Sequence, residues 1–427
     1  MKHWQEFKDY LDTTPVVDSH EHYCGITKPE ENIFTMIMGW YMKDDMANVA
    51  GSEEALFSSL MSDKIPFDKK CDIFFKYYQP VKHTGYGDAL RRSIKLSWDV
   101  DVTKEGLNII NENQNNRNQS FHDSLIKKAN IKAGVCDIFY VFDILNEGFT
   151  DYSDWARFAI SVPEWHDVKS RNAIRELSSR MSNGFVVNSL DDFEQAIEIC
   201  IKRCIDKKIF VCFKDQSPYL RKIDYKNPTK HQAETVFNKL MYDAKYIGSD
   251  DECRPLNDYL YHVIVRLAGK YNIPFQHHTG HLAGLYGDVR NANAALLTPV
   301  IDMYPNVTFD LFHGNWPYMG EYLYLGKSYP NVRLNLCWLH TIDPDYSVEM
   351  MRRMILTLPT TNVIAFGGDT FWVEHQVGAL DQARENVARA LTSLINDGKL
   401  DTEEAKRIAN DWFYENPKRI YNLDLTD

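Results

Sequence analysis

From about residue 131 onward the chain alternates short apolar runs with longer segments whose apolar positions recur at helical spacing. The runs are Ala133 to Phe142, Phe158 to Val162, Ile209 to Phe213, Ile273 to His278, Val307 to His313, Val332 to Trp338 and Val363 to Phe366, and the pair Val16-Val17 near the start makes eight. Between them, Leu190 to Ile205, Leu256 to Tyr271, Ala292 to Tyr304 and Ser347 to Leu356 read as amphipathic helices. Two of the strands are entered through the same phrase, Tyr304-Pro305-Asn306-Val307 and Tyr329-Pro330-Asn331-Val332, in which proline stops the helix and asparagine tolerates the turn. Eight strands alternating with helices predict a closed parallel barrel. An open doubly wound sheet is the competing α/β architecture, and the glycine-rich phosphate loop that favours it is absent. Lys28 to Asn130 breaks the alternation: it reads as mainly helical, contains the polar tract Asn111 to Gln119, and is expected as an insertion after the first strand, on the face where the site lies. The expectation is one domain over 1–427 with residues 28–130 inserted in it.

Composition narrows the function more than the fold. At 427 residues, 44% hydrophobic and 25% charged, the chain can bury a large core. A formal charge of -12 without a dense Lys/Arg cluster opposes nucleic acid and anionic membranes as partners. The N-terminal stretch MKHWQEFKDYLD has scattered charges and lacks a signal-like apolar stretch, and no apolar run is long enough to span a bilayer, so a cytoplasmic location is expected. Eight cysteines without a CxxC pair support neither a zinc ribbon nor a disulfide framework, and Cys200 and Cys204 read as helix packing.

Chemistry enters with Asp18-Ser19-His20-Glu21-His22, directly after the first apolar pair. Side chains alternate along a strand, so His20 and His22 share a face and both imidazoles can converge on one ion, although two histidines can also simply end a strand. In a parallel barrel the functional groups lie at the carboxyl ends of strands. Those ends carry His20 and His22 on the first strand, Lys214 on the fourth, His278 on the fifth, His313 on the sixth and Asp369 on the eighth. His20, His22, His278 and Asp369 could hold one divalent metal with room for a water, which ionises near neutrality at such a site. Asp369 would accept the proton of that water, and His313 would act beside the metal as a base or by polarising a substrate oxygen.

The ordered motifs DSHEH (18–22), PFQHHTGH (274–281), FDLFHGNWPY (309–318), IAFGGDT (364–370) and YENPKRIYNL (414–423) resemble the amidohydrolase superfamily, in particular its amidohydrolase-2 branch, which is itself similar to uronate isomerases. The resemblance implies a distorted TIM (β/α)8 barrel and a metal bound by His20, His22 and Asp369. It places His278 at the fifth-strand ligand and His313 at the sixth-strand histidine, with the neighbouring His277 pointing to the opposite face. His281 is expected to line the pocket. Lys214, in CFKDQSPYLR, matches the location of a carboxylated lysine that bridges two metals in some members. We read it instead as a substrate-facing cation at a mononuclear site, because a protonated lysine has no metal affinity of its own. Arg221 joins it as a candidate anchor for an acidic substrate, with a surface ion pair as the alternative, and Trp316, Tyr318 and Trp372 are candidates for the pocket wall. His83, His122, His166 and Glu321 are read as structural or solvent-facing.

The leading expectation is a metal-dependent hydrolase acting on a small polar, carboxylate-bearing substrate, with zinc the metal that best suits a histidine-rich site. On the same site, a uronate isomerase-like aldose-ketose exchange would use Arg221 or Arg290 to bind the sugar carboxylate, and metal-dependent decarboxylation of an aromatic acid is a third reading. A non-catalytic barrel is the alternative from a different class. A small molecule and further copies of the chain in a homo-oligomer are the expected partners.

Overall fold

The structure is a computed structural model that describes residues 2–25, 32–39, 41–138, 141–150, 152–182 and 184–425. Eight parallel strands form one sheet in sequence order: β1 Val16–Glu21, β2 Ile131–Cys136, β3 Ala156–Ser161, β4 Phe210–Asp215, β5 Phe275–His277, β6 Phe309–Leu311, β7 Val332–Asn335 and β8 Val363–Ile364. The two edges meet. The Ser19 amide donates to Phe366 O (3.1 Å), Asp369 N donates to His20 O (2.8 Å) and His22 N donates to Thr370 O (2.8 Å), so the segment after β8 closes the sheet onto β1 as a distorted TIM barrel.

Several strands are shorter than their apolar runs. The run Ala133 to Phe142 ends as strand at Cys136, and Val141 and Phe142 lead into a helical turn whose apolar side chains are also buried; Phe139 and Tyr140 lie outside the described residues. Apolarity reports burial, which a strand and the turn after it can share. The segment Ala292 to Tyr304 is two short pieces, Ala294–Leu297 and Thr298–Met303, with Pro299 in the first turn of the second. Both Tyr-Pro-Asn-Val phrases fold alike, with Val307 N donating to Tyr304 O and Val332 N to Tyr329 O, each at 3.1 Å.

Residues between β1 and β2 form seven α-helices among the described residues, from Ile33–Gly39 to Gln119–Lys128; residues 28–31 and 40 of the expected insertion lie outside the described residues. Thr84, Thr103 and Asn118 cap three of these helices by accepting from the amides of Gly87, Gly106 and Phe121. The insertion is anchored on the long helix Val373–Asn396. Gly378 lets the helix Gly85–Trp98 approach, since a Cβ there would run into Ser93 and the Ala89 carbonyl. Within the polar tract, Arg117 is fully buried, its Nε donating to Glu374 Oε1 at 2.6 Å and its Nη2 to Oε2 at 3.3 Å.

Inside the barrel, a polar layer lies under the carboxyl-end face. Gln276, Asp310 and Asn335 project inward from β5, β6 and β7, and Tyr421 from the C-terminal segment enters among them. Gln276 Nε2 donates to Ser19 O (3.0 Å), Ser19 Oγ donates to Asn335 Oδ1 (3.1 Å), and the Tyr421 hydroxyl donates to Asp310. Val17, Ala133, Val135, Ile364, Ile420 and Leu423 pack around the same end as a separate apolar cluster, so the C-terminal segment plugs the barrel's amino-terminal mouth. No helix among the described residues is long and apolar enough to cross a membrane.

Candidate metal centre

The carboxyl ends of the strands, together with the insertion, enclose a cavity of about 690 Å³. His20, His22, Asp137, Lys214, His278 and Asp369 line its floor; Tyr41, Lys43 and Phe57 from the insertion, with Tyr219, Leu220, Phe371 and Trp372, line its walls. The segments after three strands pass through the left-handed backbone region, at His313 (φ 59°), Trp338 (φ 64°) and Asp369 (φ 55°), conformations unfavourable for residues with a Cβ, and of the three Asp369 lines the cavity.

Asp369 is the hub. Its Oδ1 lies 3.0 Å from His22 Nε2 and 3.9 Å from His20 Nε2, and it accepts the Tyr41 hydroxyl at 3.1 Å; its Oδ2 lies 3.7 Å from His313 Nε2 and 4.0 Å from Cys337 Sγ. Two groups of donor atoms are close enough to share an ion: His20, His22 and Asp137, and His313, Cys337 and Asp369.

The hydrogen bonds fix which ring nitrogens carry protons. A carbonyl oxygen can only accept, so His22 Nδ1 donates to Asp137 O (2.8 Å), His313 Nδ1 to Cys337 O (3.0 Å) and His278 Nε2 to His281 O (2.7 Å). In neutral rings the remaining nitrogens then carry lone pairs, and those lone pairs face acceptors. His22 Nε2 faces Asp369 Oδ1, and His278 Nδ1 faces His313 Nε2 at 3.0 Å. Opposed lone pairs at such distances repel unless a proton or a metal ion lies between them, so the donor set fits a bound cation.

Electrostatics favour neutral rings around an ionised carboxylate. Burial, reinforced by the nearby Lys214 charge, holds His20 well below the ordinary histidine range; burial and the neighbouring His313 do the same to His278, and burial brings His313 down to about 3. Burial pushes Asp369 upward, but its bond to His22 and the surrounding imidazoles outweigh this and hold it well below the usual carboxylate range. His22 is the exception: burial lowers it, and Asp369 more than restores it. Lys214 is 2% exposed, its Nζ finds no hydrogen-bond acceptor among the described residues and sits 3.8 Å over the Phe312 ring, and burial lowers its pKa.

The structure therefore brings together His20, His22, Lys214, His278, His313 and Asp369, but not in every role expected. His278 pairs with His313 instead of joining either group of candidate ligand atoms. Its neighbour His277 faces away, accepting from the Tyr261 hydroxyl at 2.8 Å. His281 lies behind the cavity, its Nε2 3.3 Å from the Tyr86 hydroxyl and its ring against Trp338. Trp316 is off the cavity lining, with Nε1 directed at Asp343 (3.4 Å). Arg221, expected as a substrate anchor, instead pairs with Asp258 at 2.5 Å, because the turn after β4 directs it outward against the helix Asp250–Tyr271. Arg290 is likewise committed to Asp288 at 2.8 Å on the surface.

Asp137, Cys337 and Tyr41 are the site residues that sequence reasoning missed. Asp137 follows β2 directly, inside an apolar run that predicts a longer strand, and Cys337 lies within the run Val332 to Trp338, two residues past the end of β7. Tyr41 comes from the insertion, where no strand-end rule applies.

Residues 247–423 match the family described as Amidohydrolase. Over that C-terminal part the chain is similar to this family. It is 26% identical over 307 residues to Protein fluG of Emericella nidulans, covering 66% of this chain and 35% of that protein. It is also 26% identical over 162 residues to a uronate isomerase of Xanthomonas oryzae pv. oryzae, covering 35% of this chain and 34% of that one. The matches thus span about a third of the length of these curated relatives. Among solved structures, the uronate isomerase of Thermotoga maritima superposes with a TM-score of 0.79 over 98% of this chain and 97% of its own, at 12% identity, a likeness of fold.

Proposed function

We propose that this protein is a metal-dependent hydrolase acting on a small carboxylate-bearing substrate. The observation that carries the reading is the cluster of imidazole nitrogens around the buried Asp369 carboxylate, with His22 Nε2 3.0 Å and His20 Nε2 3.9 Å from Oδ1, beside a buried lysine side chain that finds no acceptor among the described residues. His20, His22 and Asp369 are assigned to hold the metal, with Asp137 and Cys337 in reach, and zinc suits this donor set. A bound divalent ion supplies Lewis acidity, which brings a water's pKa from 15.7 to about 7 and polarises a carbonyl. Asp369, ionised at neutral pH, takes the proton of the attacking water and passes it to the leaving group. Tyr41 orients Asp369 through its hydroxyl, His313 stands behind Asp369 and holds it in position, and Lys214 receives the substrate carboxylate, with Lys43, paired to Glu53, further out.

Two observations support hydrolysis over aldose-ketose exchange of a uronate. The arginines expected to bind a sugar acid are both engaged outside the cavity. The wall formed by Phe57, Leu220, Phe371 and Trp372 is apolar, which suits a substrate with a hydrophobic part better than a polyhydroxy acid. The isomerase reading retains the support of the Xanthomonas match. Turnover in doubly labelled water separates the readings: hydrolysis places one 18O in the product, isomerisation places deuterium on the carbon beside the carbonyl, and decarboxylation releases carbon dioxide. Deuterium incorporation without 18O gain would overturn the proposal.

A further inference from the structure

We infer a second binding site, for a small phosphate-type oxyanion, at the amino-terminal mouth of the barrel, opposite the candidate metal centre. A recess of about 230 Å³ opens there between the starts of β5, β6 and β7 and the C-terminal plug, lined by Arg333, Arg419, Asn272, Asn306, Thr308 and Asn422 among others. Arg333 stands in register with Asp310 on β6, so its side chain points into this mouth.

Both guanidinium groups are fixed in place by neutral acceptors. Arg333 Nη1 donates to Pro330 O (2.8 Å) and Val332 O (2.9 Å), while its Nε is buried with no acceptor among the described residues. Arg419 Nη2 donates to Thr361 O (2.6 Å) and Asn416 Oδ1 (3.3 Å). Among the described residues neither arginine forms an ion pair, and the two repel: burial and the Arg419 charge lower Arg333, against a smaller opposing pull from buried Asp310. Two arginines lining one small recess, with buried Asp310 offsetting only part of the charge on Arg333, are an unfavourable arrangement for stability alone. A dianionic oxyanion relieves the repulsion and takes the remaining N–H groups, for which the planar forks of arginine are suited. The asparagine and threonine side chains supply further neutral donors around it. At 230 Å³ the recess falls below the roughly 300 Å³ typical of sites for larger organic ligands, which favours a single small ion.

The test is thermal unfolding in increasing inorganic phosphate at constant ionic strength, with acetate and chloride as comparison anions, wild type and Arg419→Gln being metal-loaded and His20→Ala, which is expected to lose the ion, metal-free. Wild type, Arg419→Gln and His20→Ala are compared. Arg419 is exposed, so its variant is expected to fold, and His20→Ala controls for phosphate reaching the metal centre. The inference predicts that phosphate raises the midpoint in wild type and His20→Ala, that acetate does so far less, and that the apparent affinity for phosphate falls at least about tenfold in Arg419→Gln. A phosphate response that survives in Arg419→Gln, disappears in His20→Ala, or is matched by acetate or chloride overturns it.

Discussion

Replacing Lys214 by methionine should leave the protein more stable and nearly inactive. The Lys214 ammonium is 2% exposed and has no hydrogen-bond acceptor among the described residues, and an unmet buried donor of this kind costs about 1–3 kcal/mol or more when charged. Its place over the Phe312 ring, at 3.8 Å, returns about 0.5–2 kcal/mol, and attraction to Asp369 returns part of the rest. Methionine keeps much of the stem's volume while removing the charge, so the net expectation is a gain of about 1 kcal/mol. Urea unfolding of the metal-loaded proteins measures this, and kcat/KM on a carboxylate-bearing substrate should fall by about 100-fold or more if the ammonium meets the substrate. Metal content should stay as in wild type, because a substrate-facing cation is not a ligand. A variant that is less stable by more than about 1 kcal/mol and keeps most of its activity would refute the reasoning, and one that loses bound metal would point to a lysine that bridges metals.

The other predictions concern the scaffold around the site. Arg117→Met strands Glu374 in the interior and should cost about 3–5 kcal/mol in denaturant unfolding, whereas Arg117→Met combined with Glu374→Met should recover most of it; equal losses in both would show that the ion pair is not what docks the insertion. Tyr421→Phe removes a donor from buried Asp310 and should cost about 1–3 kcal/mol with kcat unchanged, so a loss of activity at full stability would contradict a purely structural plug. Burial brings His277 and His340 down to about 4 and His375 down to about 3, against 6.5 for an ordinary histidine. Unfolding therefore takes up protons, and their contribution, complete above pH 6.5, is lost as pH falls through the folded values. Asp310, which burial pushes from 3.8 up to about 6, has the opposite sign: its contribution is complete below pH 3.8 and fades as pH rises through 6. Near pH 5 the balance of these four groups is an uptake of about two protons, so together they should lower stability by about 3 kcal/mol per pH unit on acidification, and a midpoint that is flat or rises toward pH 5 would contradict it.

The barrel was legible in the sequence because each strand buries both faces, so each left an apolar run in the right order. The ends of the runs were less legible. Asp137 was obscured because Ile138, Val141 and Phe142 are also buried, and a run of apolar residues does not mark where extended backbone turns into a helical turn. His20, His22, His313 and Asp369 were found by asking what stands at strand ends. Tyr41 and Arg117 could not be found so, since each acts across more than 250 residues of sequence, on Asp369 and Glu374, through packing of the insertion. Arg221 shows the converse. Its position after β4 was read correctly, but its partner Asp258 sits on a helix whose approach no local pattern reveals.

The account turns on a metal at Asp369. Elemental analysis of protein purified without chelator or affinity metal, beside His20→Ala, tests it most directly. We predict about one divalent ion per chain in wild type and a loss of that ion in His20→Ala with the fold retained. A folded wild-type protein that holds no metal even after reconstitution, or a His20→Ala variant that holds as much as wild type, would contradict the account.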